Sequence, residues 1–292
     1  DRNRSTDGEI LIARFTEEDI LARKAKGPRS KLKMLISRPL ARDVARLPKF
    51  AGPTPGVART ITIPTIDISG DTARHSIVAQ GTPETYHGHC DTVLLPDGKT
   101  MFTVWTVDHA QLIGPLARSD DGGRTWSAPL DVPANWHQTA NTPAIHRLVD
   151  HQGKARLVVF GDGLDWRRKG KPPYPMHQGI SEDEGKTWTP MKPNGVQGEV
   201  PPKTIHSFDN GRRLILWSDL PGYVVQSESM DGGRTWSRER RILRIPNRWG
   251  QPCVIRSPDD NQLLMLLREN SRRHHSLYSV SDDGAETWSE PR

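Results

Sequence analysis

The sequence predicts an all-β fold, a radial stack of four-stranded sheets of the propeller kind. Three observations carry the prediction. The pattern Ser-x-Asp-x-Gly-x-Thr-Trp starts at Ser119, Ser181 and Ser229, and again at Ser281 with Ala285 in place of the glycine; successive starts lie 62, 48 and 52 residues apart. A period near 50 residues announces a repeat architecture. Each copy follows two apolar runs joined by a tight polar turn, the signature of a β-hairpin. The second run of each hairpin, such as "LVVF" or "LLMLL", is apolar without alternation, as expected of a strand covered on both faces.

In chain order, residues 1–58 read as an N-terminal extension. "FTEEDILARKAKG" has a helical pattern, with Thr16 as cap and Glu17, Glu18 and Asp19 in the first turn, and "PKFAGPTPGVA" reads as a linker. Residues 59–292 read as the propeller, incomplete at its C-terminal end. "RTITIPTIDIS" and "HSIVAQ" are strand-like. Four units follow: "DTVLL" and "KTMFTVWTV" around "LPDGK"; "AIHRLV" and "ARLVVFGD" around "DHQGK"; "KTIHSF" and "RRLILWSD" around "FDNGR"; "CVIRS" and "NQLLMLLRE" around "SPDDNQ". A third strand leads into each repeated turn and a short outer segment such as "SAPLDV" leaves it. Within the turn, Asp accepts backbone N–H groups, glycine supplies positive φ, and Trp packs beneath as a buried structural residue. Four of the nine tryptophans stand at this position.

Composition narrows the function classes. Hydrophobic residues are 34% of the chain, while 25 Gly and 24 Pro supply many turns, which excludes a helical bundle. The net charge is +6, yet "RDVARLPK" and "RRKGKPP" lack interleaved aromatics, which argues against nucleic acid as a partner. No apolar stretch reaches membrane-spanning length, and no signal peptide is visible. Cys90 and Cys253 lie in apolar runs and read as buried free thiols in preference to a disulfide. "RRKGKPPYP" at 167–175 reads as a solvated loop insertion, with a lid as the alternative.

The chemistry is expected at one mouth. The start of the first strand and the end of the second strand of each unit share that mouth, because the two are antiparallel neighbours. The starts carry Tyr86, His87, Gly88 and His89, then Asn141, Lys203 and Gln251. The ends carry Asp108 and His109, Asp162 and Asp165, Ser218 and Asp219, then Arg268, Glu269 and Asn270. His87, His89 and His109 are expected close together, suited to binding substrate, to moving protons near neutral pH or to holding a metal.

The repeated turns are Asp boxes, and residues 86–292 resemble the sialidase superfamily of BNR-repeat proteins. "YHGHCDTVLLPDGKTM", "NTPAIHRLVD" and "LLRENSRRHHSLYSVSDDGAETWSEP" are similar to a bacterial exo-α-sialidase-like branch. The resemblance implies a six-bladed propeller, with about four blades in this chain, a glycan site at the axis, and a secreted or periplasmic protein. It implies three arginines on the substrate carboxylate, a Tyr nucleophile supported by Glu and an Asp acid/base. Arg268 and Asp108 match two of these places. "YHGH" stands where the first arginine is expected, and Gln251 stands where the supporting Glu is expected, which opens the mouth to a differently placed acid. The implied activity is a glycoside hydrolase acting on terminal acidic sugars, with a non-catalytic glycan- or protein-binding propeller as the alternative. Asp108 and His109 are the expected catalytic residues. Arg268, His87, His89, Asn141, Gln251 and Asp162 are the expected substrate-binding residues. No cofactor or metal is expected.

Overall fold

The computed structural model describes residues 70–109, 113–162, 174–246, 249–271 and 275–292. The helix expected near Thr16, the strand-like "RTITIPTIDIS", most of the 167–175 loop, and Asp165 lie outside the described residues. Four antiparallel sheets follow one another along the chain. The first contains β1 (His87–Leu94), β2 (Met101–Val107) and β3 (Ile113–Ser119). The second contains β4 (Ala144–Val149), β5 (Ala155–Asp162), β6 (Pro175–Ser181) and β7 (Lys192–Gln197). The third contains β8 (Ile205–Phe208), β9 (Arg213–Leu220), β10 (Tyr223–Ser229) and β11 (Arg240–Arg244). The fourth contains β12 (Trp249–Arg256), β13 (Leu263–Glu269) and β14 (Leu277–Ser281). Among the described residues the only helical pieces are short 3-10 turns at 72–74, 134–138 and 209–211.

Each sheet pairs in sequence order, and the sheets are stacked through their side chains. In β5, Leu157 and Val159 pack with Phe102, Val104 and Leu116 of the first sheet, while Val158 and Phe160 pack with Leu214 and Leu216 of the third. In β9, Ile215 and Trp217 turn the other way, onto Val254, Leu263 and Met265 of the fourth. That two-sided burial is why these strands lack apolar–polar alternation. Side chains tie neighbouring inner strands where no backbone ladder can form. Asp91 accepts the Ile145 N–H at 3.0 Å, His146 Nε2 meets the Pro202 carbonyl at 2.8 Å, and His206 Nε2 meets the Val254 carbonyl at 2.9 Å. This is the stacking of a propeller, of which four blades are described.

The first and fourth sheets have three regular strands, not the expected four. Their outer segments still bond the third strand: Ser127 and Leu130 donate to the Arg118 and Leu116 carbonyls, and Ser289 donates to Val280. Pro129 and Pro291 interrupt these ladders, since proline has no N–H to give. Both cysteines are free, as expected, but they are not buried: Cys90 is exposed and Cys253 partly so, because they stand on inner strands and not in the cores between sheets.

The four Asp boxes are built alike. Ser119 Oγ bonds Asp121 at 2.8 Å and receives the Gly123 N–H at 2.8 Å; Asp121 receives the N–H and hydroxyl of Thr125 at 3.0 and 2.7 Å. Ser181/Asp183/Thr187, Ser229/Asp231/Thr235 and Ser281/Asp283/Thr287 repeat the set. Their glycines have positive φ, and so does Ala285 at 73°, fully buried in the seam between the third and fourth sheets. The rings of Trp188, Trp236 and Trp288 pack across a seam onto the preceding sheet. Trp188 meets Phe102, Trp236 meets Phe160 and Trp288 meets Trp217, edge to face. Trp126 packs beside Val78, Ala79 and Trp105. Contrary to the expectation of four buried rings, Trp126, Trp188 and Trp288 are only half-buried, and Trp236 alone of the four is buried.

Candidate functional site at the mouth of the propeller

The box serine fixes the register of each blade. Its ladder partner is Met101, Leu157, Leu214 or Leu263 in successive sheets. Five residues further along, about 16 Å away at strand rise, stand Thr106, Asp162, Asp219 and Arg268. These four define the mouth at the end of the sheets opposite the boxes. An open cleft between the third and fourth sheets, lined by Tyr223, Arg244, Leu277 and Glu290, contains none of the candidate residues.

Five of the ten described non-glycine residues with positive φ stand at this mouth, the others lying in hairpin turns and Asp boxes. His89 (φ 50°), Asp108 (65°), Asn141 (74°), Asp162 (64°) and Gln251 (51°) all hold left-handed conformations. Such conformations cost free energy in non-glycine residues and persist where surrounding structure imposes them, often at functional sites. His89 and Gln251 sit in register breaks of β1 and β12, between Gly88 and Asp91 and between Gly250 and Cys253. Bulges of this kind re-aim side chains.

One group at the mouth is cationic. The rings of His89 and His109 are 4.4 Å apart. Burial lowers the pKa of His89 to about 4, helped by the charges of His109, Lys203 and Arg268. His89 Nδ1 is buried without a hydrogen-bond partner among the described residues. Arg268 donates to Gln251 Oε1 at 2.8 Å, and Lys203 donates to the Pro143 carbonyl at 2.7 Å. First, third and fourth blades therefore meet here. Asp108 is exposed beside this group, its backbone N–H bonded to the Tyr86 carbonyl at 2.7 Å.

A second group is acidic and lies between the second, third and fourth blades. Asp219 is buried, and its pKa is pushed up to about 7 by burial and by the charge of Glu199, against the pull of the Gln251 N–H. Burial also raises the pKa of Glu199. Tyr174 is buried nearby, its pKa raised by burial and by Glu199. The Glu199 N–H donates to the Asp219 carbonyl at 2.7 Å, and Asn141 Nδ2 donates to the Glu199 carbonyl at 2.6 Å.

The expected residues thus divide. His89, His109, Gln251 and Arg268 come together. Asn141 supports the acidic group. Asp162 is engaged locally, receiving the Ala140 N–H at 2.7 Å and lying 2.7 Å from His177 Nδ1. His87 turns away from the other histidines, its Nδ1 accepting the Trp105 indole N–H at 3.0 Å. Because indole only donates, this bond places any proton of a neutral His87 on Nε2. Among the described residues no three His, Cys, Asp or Glu side chains are grouped to hold a metal ion. Glu199 and Tyr174 were not singled out by the sequence: Glu199 lies in a loop, and Tyr174 ends the segment read as a solvated insertion. Asp219 stood among the strand-end residues expected at the mouth but outside the expected catalytic and substrate-binding sets.

Residues 75–248 match the family model of the BNR repeat-like domain. A sialidase of Bacteroides fragilis (strain YCH46) is 24% identical in an alignment covering 68% of this chain and 51% of that protein, so the chain spans about half the length of this curated relative. The fold is similar to that of the intramolecular trans-sialidase of Ruminococcus gnavus, solved with oseltamivir carboxylate (TM-score 0.51, 16% identity, 71% of this chain and 70% of that one). It is also similar to the NanB sialidase of Streptococcus pneumoniae (TM-score 0.53, 12% identity, 78% and 56%), and to a Dyadobacter fermentans protein of unknown function (TM-score 0.52, 14% identity, 72% and 69%). With its four Asp boxes, its stacked sheets and this match over more than half its length, the chain belongs to the BNR repeat-like domain family of the sialidase/BNR-repeat superfamily.

Proposed function

We propose that this protein is a glycoside hydrolase acting on terminal acidic sugars of glycans, sialic acid or a related acid. The observation that carries the reading is the cationic group at the mouth, where the charges of His109, Lys203 and Arg268 all bear on His89. Such a group attracts and orients a carboxylate, and a forked guanidinium suits that task best. Arg268 is exposed and held by Gln251, so its fork is positioned before a ligand arrives. Asp108, exposed at the same mouth, takes the acid/base role, and His109 moves protons beside it. The relatives named sialidases support the same class.

A second reading, a glycan-binding propeller without catalysis, draws on one observation. Gln251 spends its side-chain oxygen on Arg268 and carries no charge with which to activate a nucleophile. Turnover by the full-length protein on a panel of sialosides and other acidic glycosides separates the two readings. Under the hydrolase reading, Asp108→Asn abolishes turnover and leaves binding and folding intact. Binding of acidic glycans with no turnover of any would leave the second.

A further inference from the structure

Asp219 is a buried carboxyl for which the mouth as described above has no use. It is 3% exposed, and its Oδ1 finds no hydrogen-bond partner among the described residues. Burying a carboxyl in that state is costly when it is ionised and much less so when it is protonated. The surroundings hold it in place: a Cβ on Gly250 would lie 2.0 Å from Asp219 Oδ2, so the carboxyl presses on a backbone that only glycine allows. Among the described residues, Asp219 feels the charge of Glu199, from the loop ahead of β8, and the Gln251 N–H of β12, while the charge of Arg268 is turned toward the Gln251 side chain. Glu199 is the partly open member, bonded through its backbone to Asp219 and to Asn141.

We infer that Glu199 and Asp219 form a carboxyl pair that holds one proton and delivers it to a sugar bound at the mouth. The inference rests on the hydrolase reading for its delivery step. In that step the glycosidic oxygen takes the proton from Glu199 while its bond to the anomeric carbon breaks, and the aglycone leaves as an alcohol. Water then adds to the anomeric carbon and gives its surplus proton to Asp108, which thereby acts as the base, while solvent returns a proton to the pair. Asp219, behind Glu199, acts as a positioning residue that keeps the shared proton in place. Two carboxyls that share a low-dielectric site titrate as a unit and cannot both ionise cheaply.

The test is carboxyl carbon NMR on the full-length protein, followed by pH–rate profiles on aryl α-sialosides and aryl uronides. One Asp resonance should titrate near neutral pH. It should vanish in Asp219→Asn, and its midpoint should move down in Glu199→Gln, because the charge that raises it is gone. A midpoint that stays put in Glu199→Gln makes Asp219 an isolated buried acid and overturns the pair, whatever the activity. Should Asp219→Asn not fold, the Glu199→Gln shift decides alone. On substrate, Asp219→Asn should lower the rate at pH 7 at least tenfold and displace the alkaline limb. Turnover without a titrating carboxyl removes only the pair. A titrating pair in a protein inert to every glycoside removes the hydrolase reading and the delivery step together.

Discussion

The two ends of the same sheets follow different rules. At one end four Asp boxes repeat the same bonds, residue for residue. At the other, the equivalent positions hold Thr106, Asp162, Asp219 and Arg268, four residues with three different chemistries. The electrostatics differ in sign as well. Hydrogen bonds from Thr187 and Ser181 lower the pKa of the box carboxylate Asp183 to about 2, whereas burial and a neighbouring charge raise that of Asp219 to about 7. The Ser, Asp and Thr side chains of each box bond one another, so the turn can repeat. At the mouth, the titratable side chains of Asp219 and His89 each keep a buried atom with no hydrogen-bond partner among the described residues.

The largest effect should come from breaking a box. Asp231→Ala removes the acceptor of the Thr235 N–H and hydroxyl and of the Arg234 N–H. Loss of such charge-assisted bonds should cost about 2–4 kcal/mol, read as a lower midpoint in thermal or denaturant unfolding. Ligand affinity of the protein that remains folded should not change. An unfolding midpoint equal to wild type would mean that the box is not a structural unit.

Arg268→Ala should do the reverse. The side chain is exposed and bonds only Gln251 among the described partners, so stability should stay within about 0.5 kcal/mol. Binding of an acidic sugar should weaken tenfold or more, measured by calorimetry. Equal affinity for acidic sugars in the variant would move the anion site elsewhere.

The opposite pKa directions sharpen the contrast through pH. The folded-state pKa of Asp219 is raised, so its contribution to stability is complete below the ordinary Asp value of about 4 and is lost as pH rises through about 7. For Asp183 the folded-state value is depressed to about 2. Its contribution is present above about pH 4 and is lost as pH falls through about 2. Asp219→Asn should therefore flatten the decline in unfolding midpoint between pH 4 and pH 8 and leave the acid limb unchanged. A decline that persists in the variant would assign it to another group.

The smallest effect is expected where one box already departs from the others. Ala285→Gly should relieve about 0.5–1 kcal/mol of positive-φ strain and lose about 0.8 kcal/mol of buried methyl, for a net change near zero. Gly185→Ala, in the equivalent place, should cost well over 1 kcal/mol, because its Cβ would lie 2.3 Å from the Phe102 ring. Equal costs at the two sites would show that the seams, not the boxes, are equivalent.

What the sequence determined by itself was the repeating part. The Ser, Asp, Thr and Trp of each box bond within a few residues, and the hairpin turns beside them are local, so their chemistry shows at fixed spacing. The two-sided apolar strands announced the stacking for the same reason. Only the tertiary structure decided how the mouth is composed. His87 and His89 are two residues apart, yet a register break aims one at Trp105 and the other at His109. Asp219 gained its high pKa from burial and from the charge of Glu199, 20 positions earlier in the loop ahead of β8, and its carboxyl lies against Gly250 of the next blade. The outer edges of the first and fourth sheets likewise depended on where Pro129 and Pro291 fell against their neighbours. Burial and charge at a mouth are sums over several blades, and no single stretch of chain contains them.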